Sequence, residues 1–227
     1  MNEFDLKDLL NEDHPEILLE KNQPFLRVMM HFQCAIMEVE TKIKVLNREF
    51  SLANQRNPIE SIKARIKTPA SILEKLQRRQ IPLTIEGIEK QLNDVAGIRV
   101  ICSFPQDIYN VAGLLGRQDD IIILEIKDYI ANPKPNGYRS LHLILGVPIF
   151  LAEEKKIMKV EVQLRTIAMD FWASLEHKVK YKQNVDNPEE IAAELKECAD
   201  VISGADYRMQ EIANRISPQD DGGFYAL

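Results

Sequence analysis

The sequence predicts an α+β fold in which helices flank one mixed β-sheet. Segments that alternate apolar and polar side chains, typical of strands, follow segments whose apolar residues recur every three or four positions, typical of helices. The longest helical patterns lie near the two ends, over residues 24–50 and 189–216. The chain has 227 residues, of which 45% are apolar, enough to bury a sizeable core. The alternation alone is equally compatible with an α/β arrangement.

The two terminal helices share one apolar pattern, with spacings that alternate between four and three residues. In the first helix the stripe comprises Phe25, Met29, Phe32, Ile36, Val39, Ile43, Leu46 and Phe50. In the last helix it comprises Ile191, Leu195, Cys198, Ile202, Ala205, Met209, Ile212 and Ile216. This spacing is typical of a seam between helices that cross at a small angle. Each stripe therefore packs either on the protein's own core or against another subunit.

Between these helices the chain alternates shorter elements. The predicted order is a strand at Ile62–Lys67, helices at 69–80 and 85–93, a strand at Gly97–Phe104, a helix at 105–116, strands at Ile121–Lys127, Arg139–Val147 and Ile157–Arg165, and a helix from Thr166 to about Lys182. Pro69 suits the first turn of its helix, and Thr84 suits an N-cap.

Composition excludes several classes of protein. A net charge of −6 argues against a dedicated duplex-DNA binder. Within that average, Ser61–Arg79 carries six basic residues and one acid, which favours a small polyanion such as a nucleotide or, equally, a solvated charged face. Three cysteines, odd in number and far apart, exclude a disulfide framework and suit the reducing cytoplasm. We expect no membrane span and no secretory signal.

Several predicted strands carry ionisable groups on one face. Period-two alternation places Glu161, Gln163 and Arg165 opposite the valines and leucine of their strand. The same rule places Arg99 and His142 on the polar faces of their own strands. These faces form either one open, wet sheet surface or one substrate cleft.

Asp94 favours the cleft. It lies where a predicted helix ends, and a carboxylate there is disfavoured by the helix dipole by about 0.3–1 kcal/mol, so something should compensate it, and a bound cation would. Together with Glu161, Asp94 could hold Mg²⁺, which uses one or two carboxylates beside substrate phosphates. Each acid taken alone is also compatible with a purely structural role.

Two further segments can contact a base. The loop N-P-K-P-N-G-Y presents Lys134 and Tyr138, and an aromatic ring beside a cation can stack a nucleobase. Asp170, in the first turn of the helix after Thr166, either compensates the helix dipole or accepts hydrogen bonds from guanine. We expect the neighbouring Phe171 and Trp172 in the core.

Common catalytic templates are missing from the sequence. The four histidines and three cysteines form no zinc pattern, and there is no P-loop, Rossmann glycine motif or G-x-S-x-G elbow. A nucleotide would therefore be bound by other means.

Five motifs in order resemble the synthetase domain of the Rel/SpoT stringent-response enzymes. They are R-I-K-T-P-A-S-I-L-E-K-L, D-V-A-G-I-R-V, K-P-N-G-Y-R-S-L-H, V-E-V-Q-L-R-T and A-M-D-F-W-A-S-L-E-H-K-V-K-Y-K. The resemblance spans about 57–182, and the short chain is similar to the stand-alone small alarmone synthetases. The motif K-P-N-G-Y-R-S-L-H favours the RelP-type branch. No counterpart of the family's hydrolase domain is visible.

The resemblance implies a GTP pyrophosphokinase that moves the β,γ-diphosphate of ATP to the 3′-hydroxyl of GTP or GDP. By position, Asp94 and Glu161 match the Mg²⁺ ligands, and Glu161 also matches the base. The substrate-binding positions comprise Arg65 and Arg99 for adenine, Lys67, Ser71, Lys75 and Arg78 for the ATP phosphates and ATP site, Tyr138 for guanine stacking, Asp170 for guanine recognition, and Lys134, His142 and Gln163 for other acceptor contacts.

The resemblance also implies one synthetase domain over 1–227, a sheet of about five strands, a nucleotidyltransferase-like fold and a cytoplasmic homotetramer built partly through the terminal helices. Two other functions stay open at this stage. One is a different nucleotidyltransferase, which would release pyrophosphate rather than AMP. The other is a non-catalytic regulator that binds a nucleotide or single-stranded RNA; a catalytic metal pair argues against it.

Overall fold

The computed structural model describes residues 15–53, 57–180 and 187–216. Within these ranges the chain forms six helices and five strands: α1 (Pro15–Ala53), β1 (Ile59–Ile66), α2 (Pro69–Arg78), α3 (Ile85–Gln91), β2 (Ala96–Cys102), α4 (Pro105–Gly116), β3 (Ile122–Asp128), β4 (Leu141–Phe150), β5 (Lys155–Thr166), α5 (Ile167–Lys180) and α6 (Pro188–Ile216). Every predicted element is present. α1 begins earlier than predicted, so Pro24 lies inside the helix. The predicted end of the fifth helix at Lys182 lies outside the described residues.

The five strands form one mixed sheet in the order β1-β2-β5-β4-β3, which confirms the α+β class. β2 and β5 run parallel, and the other neighbouring pairs run antiparallel. The parallel pair lies at the centre, so the two strands that carry the most site residues are adjacent although they are distant in sequence. None of the helices in the described ranges has an apolar stretch suited to crossing a membrane.

α1 covers the apolar face of the sheet. It contacts β1, β2, β4 and β5, and Phe32, Val39 and Ile43 from its predicted stripe are at most 1% exposed. The stripe of the first helix therefore packs on the protein's own core. α4 packs on β2 and β5 and contributes further apolar side chains to the same core. Both helices lie on this apolar side, which leaves the opposite face of the sheet for polar groups.

The predicted stripe of α6 is only partly covered by the rest of the described chain. Its covered side runs through Ala199 and Asp206, while Cys198, Met209 and Ile216 of the predicted stripe are exposed. Polar bonds set this orientation, because the Thr166 hydroxyl donates to Asp206 and the backbone N–H of Gln106 donates to Gln210.

Of the two aromatic residues in the first turns of α5, only Trp172 lies in the core as predicted. Trp172 is buried and donates its Nε1–H to the carbonyl of Leu195 on α6, whereas Phe171 is 57% exposed. Successive helical residues point about 100° apart, so one of the two had to leave the core.

Candidate functional site

The polar face of the sheet carries the candidate site. Strand register sets Lys63, Arg99, Gln163 and His142 opposite one another across β1, β2, β5 and β4. Directly opposite residues on paired strands share a face, so these four side chains belong to one surface. A cleft of about 200 Å³ opens on this surface, and it is lined by Lys63, Ala64, Arg65, Asp94, Gly97, Ile98, Arg99, Glu161 and Gln163.

Asp94 lies beyond the end of α3, just before β2, and pairs with two lysines. Lys67 Nζ is 3.0 Å and Lys75 Nζ is 2.5 Å from its Oδ2. Burial raises the pKa of Asp94, but hydrogen bonds and charge from Lys75 and Lys67 outweigh it and lower the pKa below its ordinary value. In this structure two lysine side chains compensate Asp94, where the sequence argument named a bound cation. Asp94 Oδ1 is buried and has no hydrogen-bond partner among the described residues.

α2 begins where β1 ends and presents groups suited to phosphate. Thr68 caps the helix by accepting the backbone N–H of Ser71, and its hydroxyl donates to the Ser71 hydroxyl at 3.0 Å. Lys75 lies one turn after Ser71, on the same side of the helix. Arg78 also continues this side and is exposed at the last turn. Helix N-termini favour anions, because their free N–H groups and dipole are positive.

Glu161 is held at both carboxylate oxygens. His142 Nδ1 is 3.1 Å from Oε1, and the Gln163 side-chain amide donates to Oε2 at 2.9 Å. Burial raises the pKa of Glu161, while hydrogen bonds from His142 and Gln163 lower it, and the balance lies below the ordinary value. The charge of Asp94 opposes this lowering, which reflects the proximity of the two acids across the cleft.

Tyr138 lies beside this pair, in the loop between β3 and β4. Its hydroxyl is 2.8 Å from His142 Nε2 and accepts a hydrogen bond from Arg165 Nη2 at 2.6 Å. The rings of Tyr129 and His142 meet the Tyr138 ring edge-on, with centroids 6.0 and 5.9 Å away. Lys134 Nζ lies 4.7 Å from the centroid of Tyr138. The loop thus presents an aromatic and cationic surface next to Glu161.

Asp170 closes the site from the first turn of α5. Its Oδ1 is 3.2 Å from Arg99 Nη1 and 3.1 Å from Arg165 Nη1. Burial and the positive charge of Arg165 lower the pKa of Arg99, an effect that Asp170 counters and Arg65 adds to. Three guanidinium groups and one carboxylate therefore lie together at this end of the cleft.

The structure brings the predicted residues into two adjoining groups. The first group, around Asp94, contains Lys67, Lys75 and, at the start of the same helix, Ser71. The second group, linked by hydrogen bonds and ion pairs, contains Tyr138, His142, Glu161, Gln163, Asp170 and Arg99, with Lys134 over the tyrosine ring. Arg65 joins through the cleft, whereas exposed Arg78 lies outside its lining.

Sequence reasoning gave no role to three residues of the site, one of which is Lys63 in the cleft lining. Arg165 was placed on the polar face of its strand without a role, yet it contacts Tyr138, Gln163 and Asp170 and is 5% exposed. The period-two alternation of its strand, which places Arg165 on the same face as Glu161 and Gln163, was the signal that could have identified it. Tyr129, which packs edge-on against Tyr138, follows β3 directly and carried no pattern that distinguishes it.

Comparisons with known proteins show which family this chain resembles. A family model described as a region found in RelA/SpoT proteins matches residues 64–186. The GTP pyrophosphokinase YwaC of Bacillus subtilis is 41% identical over 207 residues, covering 91% of this chain and 99% of the relative. GTP pyrophosphokinase YjbM of the same organism is 36% identical, covering 84% and 89%.

The structure of this chain also resembles a solved structure. The small alarmone synthetase 1 from Bacillus subtilis bound to its product pppGpp superimposes with a TM-score of 0.78 at 35% identity, covering 85% of this chain and 98% of that one. The family model spans more than half of the chain, and full-length relatives match almost end to end. The protein whose sheet carries this cleft therefore belongs to the RelA/SpoT family.

Proposed function

We propose that the protein is a GTP pyrophosphokinase that transfers the β,γ-diphosphate of ATP to the 3′-hydroxyl of GTP or GDP. The products are pppGpp or ppGpp and AMP, and the chain performs synthesis only. Relatives at 41% and 36% identity carry the name GTP pyrophosphokinase, and a structural relative was solved with pppGpp. The observation that carries the proposal is one cleft lined by Asp94, Glu161 and several cations, with Tyr138 beside it.

A divalent metal fits this cleft. Asp94 and Glu161 offer oxygen ligands, which Mg²⁺ prefers, and Asp94 Oδ1 is buried without a partner. We assign Asp94 and Glu161 as the residues that would hold Mg²⁺ together with substrate phosphates. When bound, Mg²⁺ supplies positive charge that polarises the phosphoryl oxygens and neutralises charge that develops during transfer.

The ATP-binding half combines the first group of residues with two arginines of the cleft lining. Arg65 and Arg99 are suited to sandwich adenine, because a guanidinium is flat and weakly hydrated. Lys67, Lys75 and the start of α2 at Ser71 bind the phosphates, and Arg78 extends this positive surface. The same lysines neutralise Asp94 in the free protein, so they would redistribute between the carboxylate and the phosphates.

The acceptor half follows from the second group. Tyr138 stacks guanine, with Lys134 supplying positive charge beside it, and Asp170 accepts from the two guanine donors on its Watson–Crick edge. His142 and Gln163 line the path to the ribose. Glu161 accepts the proton of the 3′-hydroxyl as that oxygen bonds to the β-phosphorus of ATP. The bond from this phosphorus to the oxygen that bridges it to the α-phosphorus breaks, and AMP leaves with that oxygen.

The proposal includes a cytoplasmic homotetramer. α1 leaves Leu26, Met30 and Met37 at least 42% exposed on the side away from the sheet, which offers apolar surface to another subunit. None of the three cysteines, all within the described ranges, forms a disulfide, as suits a reducing compartment. Light scattering coupled to size exclusion measures the mass, and a monomer would refute the assembly.

Product analysis tests the activity. The purified protein is incubated with Mg²⁺, GTP and ATP labelled in its γ-phosphate. We expect AMP and a labelled guanosine 3′-diphosphate. Release of pyrophosphate would instead identify a nucleotidyltransferase, and binding without turnover would identify a regulator.

Glu161→Gln tests the base. The amide cannot take the 3′-hydroxyl proton, so we expect alarmone synthesis to fall by at least about a hundredfold while the folded state persists. Glu125→Gln is a matched control, because Glu125 lies in the same row of the sheet but two strands away, paired with Lys127. Synthesis at the wild-type rate by Glu161→Gln would refute the assignment.

Tyr138→Ala tests the acceptor site. Loss of a stacking partner is worth about 1–3 kcal/mol per base, so we expect KM for GTP to rise between about fivefold and a hundredfold. KM for ATP should change little. A variant that binds ATP more weakly but GTP normally would place Tyr138 in the other half of the site.

A further inference from the structure

We propose that His142 is a positioning residue that holds the Glu161 carboxylate and joins it to Tyr138, so that the base and the guanine-stacking ring form one hydrogen-bonded unit. This inference rests on the function proposed above and deepens it. The family resemblance seen in the sequence implies only that His142 contacts the acceptor nucleotide.

Both ring nitrogens of His142 are occupied by protein groups. Nδ1 is 3.1 Å from Glu161 Oε1, and Nε2 is 2.8 Å from the Tyr138 hydroxyl oxygen. The histidine side chain is only 9% exposed. A nucleotide contact through either nitrogen would therefore have to displace a short bond within the protein.

The bonds around Tyr138 determine which nitrogen carries the proton. Arg165 Nη2 donates to the Tyr138 oxygen at 2.6 Å, and a guanidinium can only donate. The tyrosine's own hydrogen is thus free to point at His142 Nε2, which accepts it. Nδ1 then carries the ring proton and donates to Glu161, a carboxylate that can only accept.

This chain of donors fixes the base from one side, and Gln163 fixes it from the other. The Gln163 amide donates to Glu161 Oε2 at 2.9 Å, so each carboxylate oxygen has one donor and the plane of the group is held. Catalytic groups need such support, because displacements of about 1 Å cost large factors in rate. Tyr138 therefore acts twice, through its ring on the guanine and through its hydroxyl on the histidine.

The variant Tyr138→Phe separates these two roles. It keeps the ring and removes only the hydroxyl, so that His142 Nε2 loses the donor that sets its tautomer. We expect kcat to fall about tenfold, the scale of one lost hydrogen bond to a charged network, while KM for GTP stays within about twofold. Tyr109→Phe is the matched control: its hydroxyl bonds Asp128 at 3.1 Å, outside the unit, and its removal should leave kcat unchanged.

Two substitutions at His142 test the donor itself. The side-chain amide of His142→Asn can replace the Nδ1 donor toward Glu161, whereas His142→Phe offers no donor at all. We expect His142→Asn to retain about tenfold more kcat than His142→Phe. Equal activity in the two variants would overturn a positioning role.

A measurement without turnover decides the tautomer. Nitrogen-15 shifts of the histidine rings distinguish a protonated from an unprotonated nitrogen, and the signals lost in His142→Asn identify His142. We expect Nδ1 protonated and Nε2 bare in the wild type, and a change toward a mixed tautomer in Tyr138→Phe. Protonation at Nε2 in the wild type, or a Tyr138→Phe variant that raises KM for GTP with kcat unchanged, would overturn the inference. If the wild type made no alarmone, the proposed function would fail, and the ring shifts would still test the hydrogen-bonded unit.

Discussion

Asp170 shares one carboxylate oxygen between arginines from two neighbouring strands. Arg99 extends from β2 and Arg165 from β5, and both guanidinium groups lie within 3.2 Å of the same atom. Two guanidinium groups this close repel each other, and a carboxylate between them offsets that repulsion. Asp170 therefore has a second role besides guanine recognition, because it holds in place Arg99, the arginine that we assign to adenine.

The variant Asp170→Asn tests this link between the two halves of the site. The amide keeps an oxygen that can accept but loses the negative charge, so Arg99 and Arg165 should move apart. We expect KM for ATP to rise about tenfold together with KM for GTP, since a hydrogen bond to a charged group contributes about 1.5–3 kcal/mol.

Asp120→Asn supplies the control for that variant. It breaks an ion pair with Lys42 outside the site and should leave both KM values unchanged. A rise in KM for GTP alone in Asp170→Asn would limit Asp170 to guanine recognition.

At the scale of elements, α6 supports the acceptor loop. Gly137 has a backbone φ of +85°, in the left-handed region, and a Cβ there would lie 2.5 Å from the Cβ of Ala199 on α6. The loop that presents Lys134 and Tyr138 is thus packed directly on the last helix. The orientation of α6 that its polar bonds set thus places Ala199 against this loop.

Gly137→Ala should displace this loop. The strained φ costs about 1–3 kcal/mol, and the contact with Ala199 adds to it, so we expect lower stability and a several-fold rise in KM for GTP. Gly204→Ala, on α6, is the control, because a Cβ at position 204 meets nothing within 4 Å. It should leave KM unchanged and raise stability by about 0.5–1 kcal/mol through helix propensity. Equal kinetics in both variants would show that α6 does not position the loop.

At the scale of the whole molecule, local patterns predicted the elements but not their contacts. The strict alternation of strand side chains was sufficient to place Glu161, Gln163 and Arg165 on one face. That Asp94 lies near this face depends on the parallel pairing of β2 with β5, which no local pattern contains. The family resemblance supplied that juxtaposition instead.

The orientation of α6 could not be predicted for a related reason. A four–three apolar stripe identifies a helix and one apolar face, but polar contacts from distant segments decided the rotation. Gln106 and Thr166 bind Gln210 and Asp206, residues that the apolar pattern ignores. The tautomer that we propose for His142 depends on distant contacts in the same way, because β4 and the loop before it must meet β5 before Arg165 bonds Tyr138.

The unfolding free energy should carry the signature of the buried Asp206. Its side chain accepts from the Thr166 hydroxyl at 2.6 Å, and burial raises its pKa above the ordinary 3.8, partly offset by that hydrogen bond. The folded state thus binds this proton more tightly than the unfolded state does. The contribution of Asp206 to stability is fully present below about pH 3.8 and is lost as pH rises through the folded pKa.

The variant Asp206→Asn tests this pH dependence. Its amide oxygen still accepts from Thr166 but never ionises, so we expect its advantage over the wild type to be smallest in acid, to grow as pH rises, and then to level off. Urea unfolding between about pH 4 and pH 8 at fixed protein concentration measures it. Asp200→Asn, on the same helix, is the matched control, because a hydrogen bond from Lys196 lowers the pKa of Asp200 below its ordinary 3.8. Its contribution to stability is therefore complete by about pH 4, and the difference between this variant and the wild type should stay nearly constant as pH rises. A stability difference between Asp206→Asn and the wild type that stays constant across this range would mean that Asp206 does not titrate differently in the folded and unfolded chains.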